Sequence, residues 1–112
     1  MKQIDLLRTF SLSLPEVREE PHFEKTSFRV KKKIFVTYDA THNWACFKFS
    51  ESDQDLFSLI DRSVIYPVQN KWGRQGWTIM KLDHLKNEIL KDALVSAYTE
   101  VAPNKLTELI KR

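Results

Sequence analysis

Apolar residues recur every three or four positions at the start of the chain: Ile4, Leu7, Phe10 and Leu14. This spacing places them on one face of a helix. Pro15 restricts the residue before it and has no backbone N–H, so the helix should end there. The pattern predicts an amphipathic helix over residues 3–13, followed by a loop over residues 13–23.

The periodicity changes to two after that loop. TSFRV (26–30) and KIFVTYD (33–39) alternate apolar with polar residues, and WACFKF (44–49) follows the turn-forming run DATHN. Alternation is typical of strands with one buried face. Because the connections are too short for crossovers, these strands should form an antiparallel meander whose first hairpin turns at Lys31 to Lys33.

The second half of the chain predicts three helices and two strands. Residues 50–53, Ser-Glu-Ser-Asp, supply N-cap serines and first-turn acids for an acidic helix. VIYPV, which contains Pro67, predicts an edge strand, and GWTIMKL predicts a further strand. We expect Asp83 to cap a long helix and Pro103 to open a last short one.

This order of elements predicts a single α+β domain over residues 1–112, with an antiparallel β-sheet and helices packed on one face. Its shared core should contain Leu7, Phe10, Phe28, Val36, Phe47, Phe57, Ile79, Leu90 and Leu94. The one cysteine, Cys46, cannot form an intramolecular disulfide, which favours a reducing compartment. We interpret it as a buried core residue rather than a nucleophile.

Residues 71–77, KWGRQGW, concentrate the rare residues of the chain: both glycines and two of the three tryptophans. Glycine tolerates positive φ and lets other backbone approach closely. We therefore expect a sharply shaped loop with Gly73 or Gly76 at positive φ. Either its tryptophans enter the core, or the loop presents a cationic aromatic surface to a ligand.

The sequence offers no recognisable catalytic or metal-binding constellation. His22, His42 and His84 lie in separate segments, and the chain has no Cys-x-x-Cys pair. We expect no enzymatic activity, no cofactor and no metal. Asp5 and Arg8 interrupt the apolar stretch that a signal peptide needs, and no segment approaches the roughly 20 apolar residues of a membrane span. These features favour a cytoplasmic protein without a membrane partner.

Charge is distributed unevenly along the chain, whose net charge is +3. Residues 21–39 hold five cations and two anions, residues 63–81 hold three cations and no acid, and an acidic block separates them. Cations neutralise phosphates and aromatic rings stack on bases. The candidate nucleic-acid-binding residues are Arg29, Lys31, Lys32, Lys33, Lys48, Lys71, Trp72, Arg74 and Lys81.

An alternative function uses the aromatic residues instead. Trp72, Trp77 and Tyr66 would line an apolar patch or cleft in a non-catalytic module that binds a protein or a small ligand. One continuous positive face would favour the nucleic-acid hypothesis, and a concave aromatic pocket would favour the alternative.

The chain resembles the MmcQ/YjbR family in the order and spacing of five segments: LSLPEVREEPHF, SFRVKKKIFVTY, WACFKFS, KWGRQGWTIMKL and VAPNKL. The resemblance runs from about Leu7 to Leu109. It implies a CyaY-like (frataxin-like) fold and DNA binding through two β wings. On this chain the wings would be the hairpin turning at Lys31 to Lys33 and the loop from Lys71 to Trp77. The chain departs from the family at Glu16, where many relatives have glycine.

A frataxin-like fold would also suggest iron binding. That activity depends on an acidic first helix, whereas the first helix here holds only Asp5, flanked by Lys2 and Arg8. We therefore expect no iron site.

Overall fold

The computed structural model describes residues 2–110. Its α-helices are α1 (Gln3–Ser13), α2 (Glu51–Ser58), α3 (Lys71–Arg74), α4 (Asn87–Val101) and α5 (Asn104–Thr107). Its strands are β1 (Val17–His22), β2 (Lys25–Val30), β3 (Lys33–Asp39), β4 (Trp44–Lys48), β5 (Ile65–Pro67) and β6 (Trp77–Lys81). A 3₁₀ turn, Leu82–His84, joins β6 to α4.

The six strands form one antiparallel sheet in the order β1-β2-β3-β4-β6-β5. The predicted meander of β2, β3 and β4 is confirmed, and β5 is the predicted edge strand, where Pro67 removes no central ladder hydrogen bond. The prediction of a loop over residues 13–23 is wrong in part, because Val17–His22 pairs with β2 as the other edge strand. Most residues of this strand are exposed, so its sequence lacks the alternation of apolar and polar residues that would indicate a strand.

The core lies between the sheet and the helices. Phe28, Val36 and Phe47 point to this side from β2, β3 and β4, and all three are fully buried. The α4 helix packs on β3 and β4, and α1 packs on α4. Tyr98 of α4 is also fully buried, and its hydroxyl donates to the Pro15 carbonyl oxygen at 2.7 Å. This bond links the chain just after α1 to α4.

Most of the predicted core is confirmed: Leu7, Phe28, Val36, Phe47, Leu90 and Leu94 are buried, and Phe10 and Phe57 pack against them partly buried. Ile79 is a correction, because it lies half-buried on the opposite face of the sheet. Thr78 and Met80, its neighbours in β6, are the residues fully buried on the core side. Successive strand residues point to opposite faces, so Ile79 cannot share that side.

The starts of α2 and α5 agree with the prediction, and the start of α4 does not. Ser50 caps α2 as expected, since its hydroxyl accepts from the Asp53 backbone N–H at 3.1 Å. Asp83 does not cap the long helix; it lies in the 3₁₀ turn and accepts from Asn43 Nδ2 at 2.6 Å. The helix begins four residues later at Asn87, with Lys86 before it and no side-chain cap. Pro103 precedes α5 directly, as predicted.

Within residues 2–110, no helix combines the length and the apolar character needed to cross a membrane.

Replacing Phe47 with alanine should lower the free energy of unfolding by about 3 to 5 kcal/mol, because the side chain is fully buried and leaves a cavity. Ile79→Ala is the matched control, since this β6 side chain lies on the half-exposed face and should cost less. Urea denaturation of both variants measures the difference. Equal losses would contradict the assignment of the two faces.

Candidate functional site

The sheet has a second face, which we call the open face, and within residues 2–110 the helices α1, α2 and α4 all pack on the other side. Thr37, Cys46 and Ile79 project from β3, β4 and β6 onto this face and are half-buried. Their positions alternate with those of the core residues, as the strand period requires. The open face is therefore broad, partly apolar and accessible to a ligand.

The KWGRQGW segment, predicted as a sharply shaped loop, crosses the end of this face and begins with a single helical turn, α3. A Cβ added to Gly73 would lie 1.9 Å from the Val68 carbonyl oxygen, and one added to Gly76 would lie 1.9 Å from that of Phe49. Gly76 also has a φ of +103°, as predicted for this pair. Both glycines are needed because the turn packs directly on neighbouring backbone.

Side chains from other elements hold α3 in place. Gln54 of α2 is buried, and its Nε2 donates to the Gly73 carbonyl oxygen at 2.8 Å and to Thr78 Oγ1 at 3.1 Å. Asn70 Oδ1 accepts from the Trp72 backbone N–H at 2.8 Å at the start of the turn. No pattern in the sequence points to Gln54, since a glutamine in an acidic helix carries no signal that it is buried.

The two tryptophans of the segment lie outside the hydrophobic core. Trp72 is 49% exposed, and Trp77 lies half-buried on the open face. The interpretation that they enter the core is therefore wrong for both. They line one wall of a concave pocket of about 470 Å³.

This pocket, the open-face pocket, is lined by His22, Lys25, Ile34, Thr37, Cys46, Val68, Trp72 and Trp77. No carboxylate is among these residues. Tyr66, which we expect in the same apolar patch or cleft, does not line this pocket: it pairs with Ile79 on the open face, and Lys81 Nζ lies 5.6 Å from its ring centre. The aromatic cleft thus forms from α3, β6 and the strands beside them.

Cys46 lies at this pocket and not in the core where we expected it. Burial raises the pKa of the Cys46 thiol to about 11, although the positive charge of Lys25 acts in the opposite direction. The thiol is therefore protonated at neutral pH and a poor nucleophile.

Three of the predicted nucleic-acid contacts have partners within the fold. Lys31 Nζ lies 2.8 Å from Glu16 Oε1. Arg29 Nε donates to Ser27 Oγ at 2.9 Å, which holds the guanidinium along the sheet.

Lys48 is the third of these residues. Its ammonium group donates to the Gln75 carbonyl oxygen just after α3 and lies 3.9 Å from Glu100 Oε2. Lys48 therefore helps to hold the helical turn on the sheet, and its charge is already partly compensated.

Four other predicted cations are exposed and form no ion pair within residues 2–110: Lys32, Lys33, Lys71 and Arg74. Lys81 is half-buried, and its Nζ lies 5.5 Å from the centre of the Trp44 ring as well as near Tyr66. Cation–π contacts of this kind orient the ammonium group without neutralising it.

The strand register brings the two basic segments to the same end of the sheet. Val36 pairs with Phe47 and Lys48 pairs with Trp77, so the beginning of β3, the end of β4 and the beginning of β6 are adjacent. Lys33 and Trp77 accordingly line one shallow cleft of about 240 Å³. We call this region, with the Lys31–Lys33 turn and α3, the basic end.

Only one of the two expected wings is a β hairpin. Lys31 and Lys32 form its tight turn with φ values of 51° and 70°, the left-handed geometry that two-residue hairpins need. The second wing is the helical turn α3. Across residues 2–110 we find no group of three or more histidine, cysteine, aspartate or glutamate side chains placed to bind a metal ion.

Sequence analysis also missed Phe23. It lies at the tip of the β1-β2 hairpin with a φ of 58° and is 94% exposed. The segment was predicted as a loop, so nothing indicated that a phenylalanine would stand at a hairpin tip.

The fold and this face define a class: α+β proteins whose antiparallel sheet is covered by helices on one face only. Comparison with protein families makes the assignment specific. The YjbR family model matches residues 12–100, and the chain belongs to the YjbR family.

A solved structure supports the fold. The crystal structure of the Deinococcus radiodurans protein DR2400, with family-model domain DUF419, superposes with a TM-score of 0.79 at 24% sequence identity. The match covers 96% of this chain and 84% of that one. A comparison with curated proteins found no match.

Position 16 lies where the backbone favours glycine. Glu16 has a φ of 59°, in the left-handed region that glycine enters without steric cost. This chain instead places a carboxylate there, and that carboxylate contacts Lys31. This ion pair therefore partly neutralises one predicted DNA-binding cation.

Replacing Gly76 with alanine should lower the free energy of unfolding by more than about 1 kcal/mol, because a side chain would be strained at positive φ and would meet the Phe49 carbonyl. Gln75→Ala, one residue earlier and exposed, is the control and should have a small effect. Urea denaturation measures both. A Gly76→Ala variant as stable as the parent protein would contradict the close packing of α3.

Proposed function

We propose that this protein binds DNA through its basic end. The observation that carries the proposal is that two basic segments, far apart in sequence, lie at one end of the sheet with cations that have no partner in residues 2–110. The hairpin turn supplies Lys32 and Lys33, and α3 supplies Lys71 and Arg74. Exposed cations grouped in this way attract phosphates.

The scaffold beneath these cations supports the same proposal. Gln54 and Lys48 hold α3 on the sheet through hydrogen bonds to the backbone carbonyl groups of Gly73 in α3 and of Gln75 directly after it. The strand ladder holds the hairpin turn. Cations on a fixed backbone lose less conformational freedom on binding, so more of the electrostatic attraction is retained in the complex.

Trp72 offers an aromatic surface for a base, in addition to the cations that contact phosphates. Its ring is half-exposed between the cations of α3, and Lys71 Nζ lies 5.5 Å from the ring centre. An exposed indole beside cations can stack on an unpaired base while the cations contact the backbone phosphates. We therefore expect single-stranded DNA to use the tryptophan and duplex DNA to use mainly the cations.

Reversing the charge of both segments, Lys32→Glu with Arg74→Glu, should weaken binding to duplex DNA of any sequence, since phosphate contacts carry no base information. If four cations contact phosphates, a plot of log K against log salt should have a slope of roughly −4 for the parent protein. The variant, which lacks two of these contacts, should have a slope of roughly −2. Fluorescence anisotropy over a salt series measures both quantities.

The control for this experiment is Lys91→Glu with Lys105→Glu. Both lysines are exposed, one in α4 and one in α5, and the double variant changes the net charge by the same amount. An equal loss of affinity in the control would mean that overall charge, and not the basic end, attracts DNA. No binding by the parent protein at low salt would refute the proposal.

Replacing Trp72 with alanine should reduce the affinity for single-stranded DNA by about 1 to 3 kcal/mol and the affinity for duplex DNA much less. Phe23→Ala removes another exposed aromatic ring, at a hairpin tip outside the basic end, and should leave both affinities unchanged. Anisotropy titrations with labelled oligonucleotides test this. Identical losses on single strands and duplexes would argue against stacking.

A further inference from the structure

The open-face pocket has the volume of a small-molecule site. Its volume of about 470 Å³ falls within the range of roughly 300 to 1,000 Å³ that is typical of small-molecule sites. Its lining residues come from β1, β2, β3, β4, β6, α3 and the residue after β5, so the tertiary fold creates it.

One side of the pocket favours a flat apolar group. Trp72 and Trp77 present indole rings there, beside Ile34 and Val68. Aromatic rings pack favourably on other planar rings, in offset or edge-to-face arrangements. A planar aromatic ring fits this wall better than a flexible or fully polar molecule would.

The other side of the pocket carries the charge. Lys25 and His22 line it, and Lys25 forms no ion pair among the described residues. The ammonium of Lys25 is close enough to Cys46 to oppose the rise of the thiol pKa, so its charge reaches into the pocket. Because no carboxylate is among the lining residues, an anionic group in the pocket would be attracted to Lys25.

We propose that the open-face pocket binds a small planar aromatic anion, with its ring against Trp72 and Trp77 and its carboxylate, sulfonate or phosphate group at Lys25. The inference does not rest on DNA binding, although both sites use Trp72. Lys25 distinguishes this site, and the cations of the basic end distinguish the other.

The test uses a matched pair of fluorescent probes, 8-anilinonaphthalene-1-sulfonate and the uncharged N-phenyl-1-naphthylamine. Lys25→Gln should weaken binding of the sulfonate about fivefold to tenfold and leave the uncharged probe unchanged. Lys105→Gln, which changes an exposed lysine of α5 outside both candidate sites, should affect neither probe. Trp72→Ala should weaken both.

Cys46 locates the bound probe, because it is the one cysteine of the chain and lies at the pocket. The sulfonate probe should slow the alkylation of Cys46 by iodoacetamide at pH 9 in a saturable way. If alkylation of the folded protein is too slow to follow, the indole N–H resonances replace it. Those of Trp72 and Trp77 should shift on titration, and that of Trp44, which is outside the pocket, should not.

Two outcomes would overturn the proposal. One is probe binding that neither protects Cys46 nor shifts Trp72 and Trp77, which would place it elsewhere, for example in the apolar groove around Phe10 and Phe57. The other is an equal affinity of Lys25→Gln and the parent protein for the sulfonate. If Lys32→Glu with Arg74→Glu abolished DNA binding but left probe binding intact, the two sites would be shown to be separate.

Discussion

The covering of the sheet on one face only is the constraint on which the rest of this structure depends. Phe28, Val36 and Phe47 pack beneath α4, and the strand period sends their neighbours to the opposite face. That face must tolerate water and still support the ladder, so half-buried residues such as Thr37 and Cys46 occupy it. The same division that builds the core leaves a broad surface on which the open-face pocket forms, next to the basic end.

The position of α3 links this surface to the core. Gly73 and Gly76 let the helical turn lie directly on the backbone of Val68 and Phe49, and buried Gln54 bonds it to β6. These residues act on the candidate sites by positioning Trp72 and Arg74. The rare residues of KWGRQGW therefore combine two roles, close packing by the glycines and exposure of the aromatic and cationic side chains.

The tertiary contacts distinguish cations that already have a partner in the fold from cations that do not, a difference that composition alone does not show. Lys31 meets the carboxylate of Glu16, and Lys48 bonds to a backbone carbonyl after α3. Lys32 in the hairpin turn and Arg74 in α3 have no ion-pair partner among residues 2–110. An exposed ion pair contributes little stability, yet it changes which side chains are available to a phosphate.

Local periodicity by itself determined the helices α1 and α2, the meander of β2 to β4 and the α+β class, and the two glycines of KWGRQGW indicated positive φ there. It could not reveal β1, because an exposed edge strand is held by backbone hydrogen bonds to its neighbour and needs no apolar pattern. Alternation in β6 was visible, but only the packed helices decided that Thr78 and Met80 face inward and Ile79 outward. The open-face pocket likewise joins Lys25 to Trp72 across the sheet. Such contacts depend on segments distant in sequence, whose approach is set by the burial of the whole core and not by any local pattern.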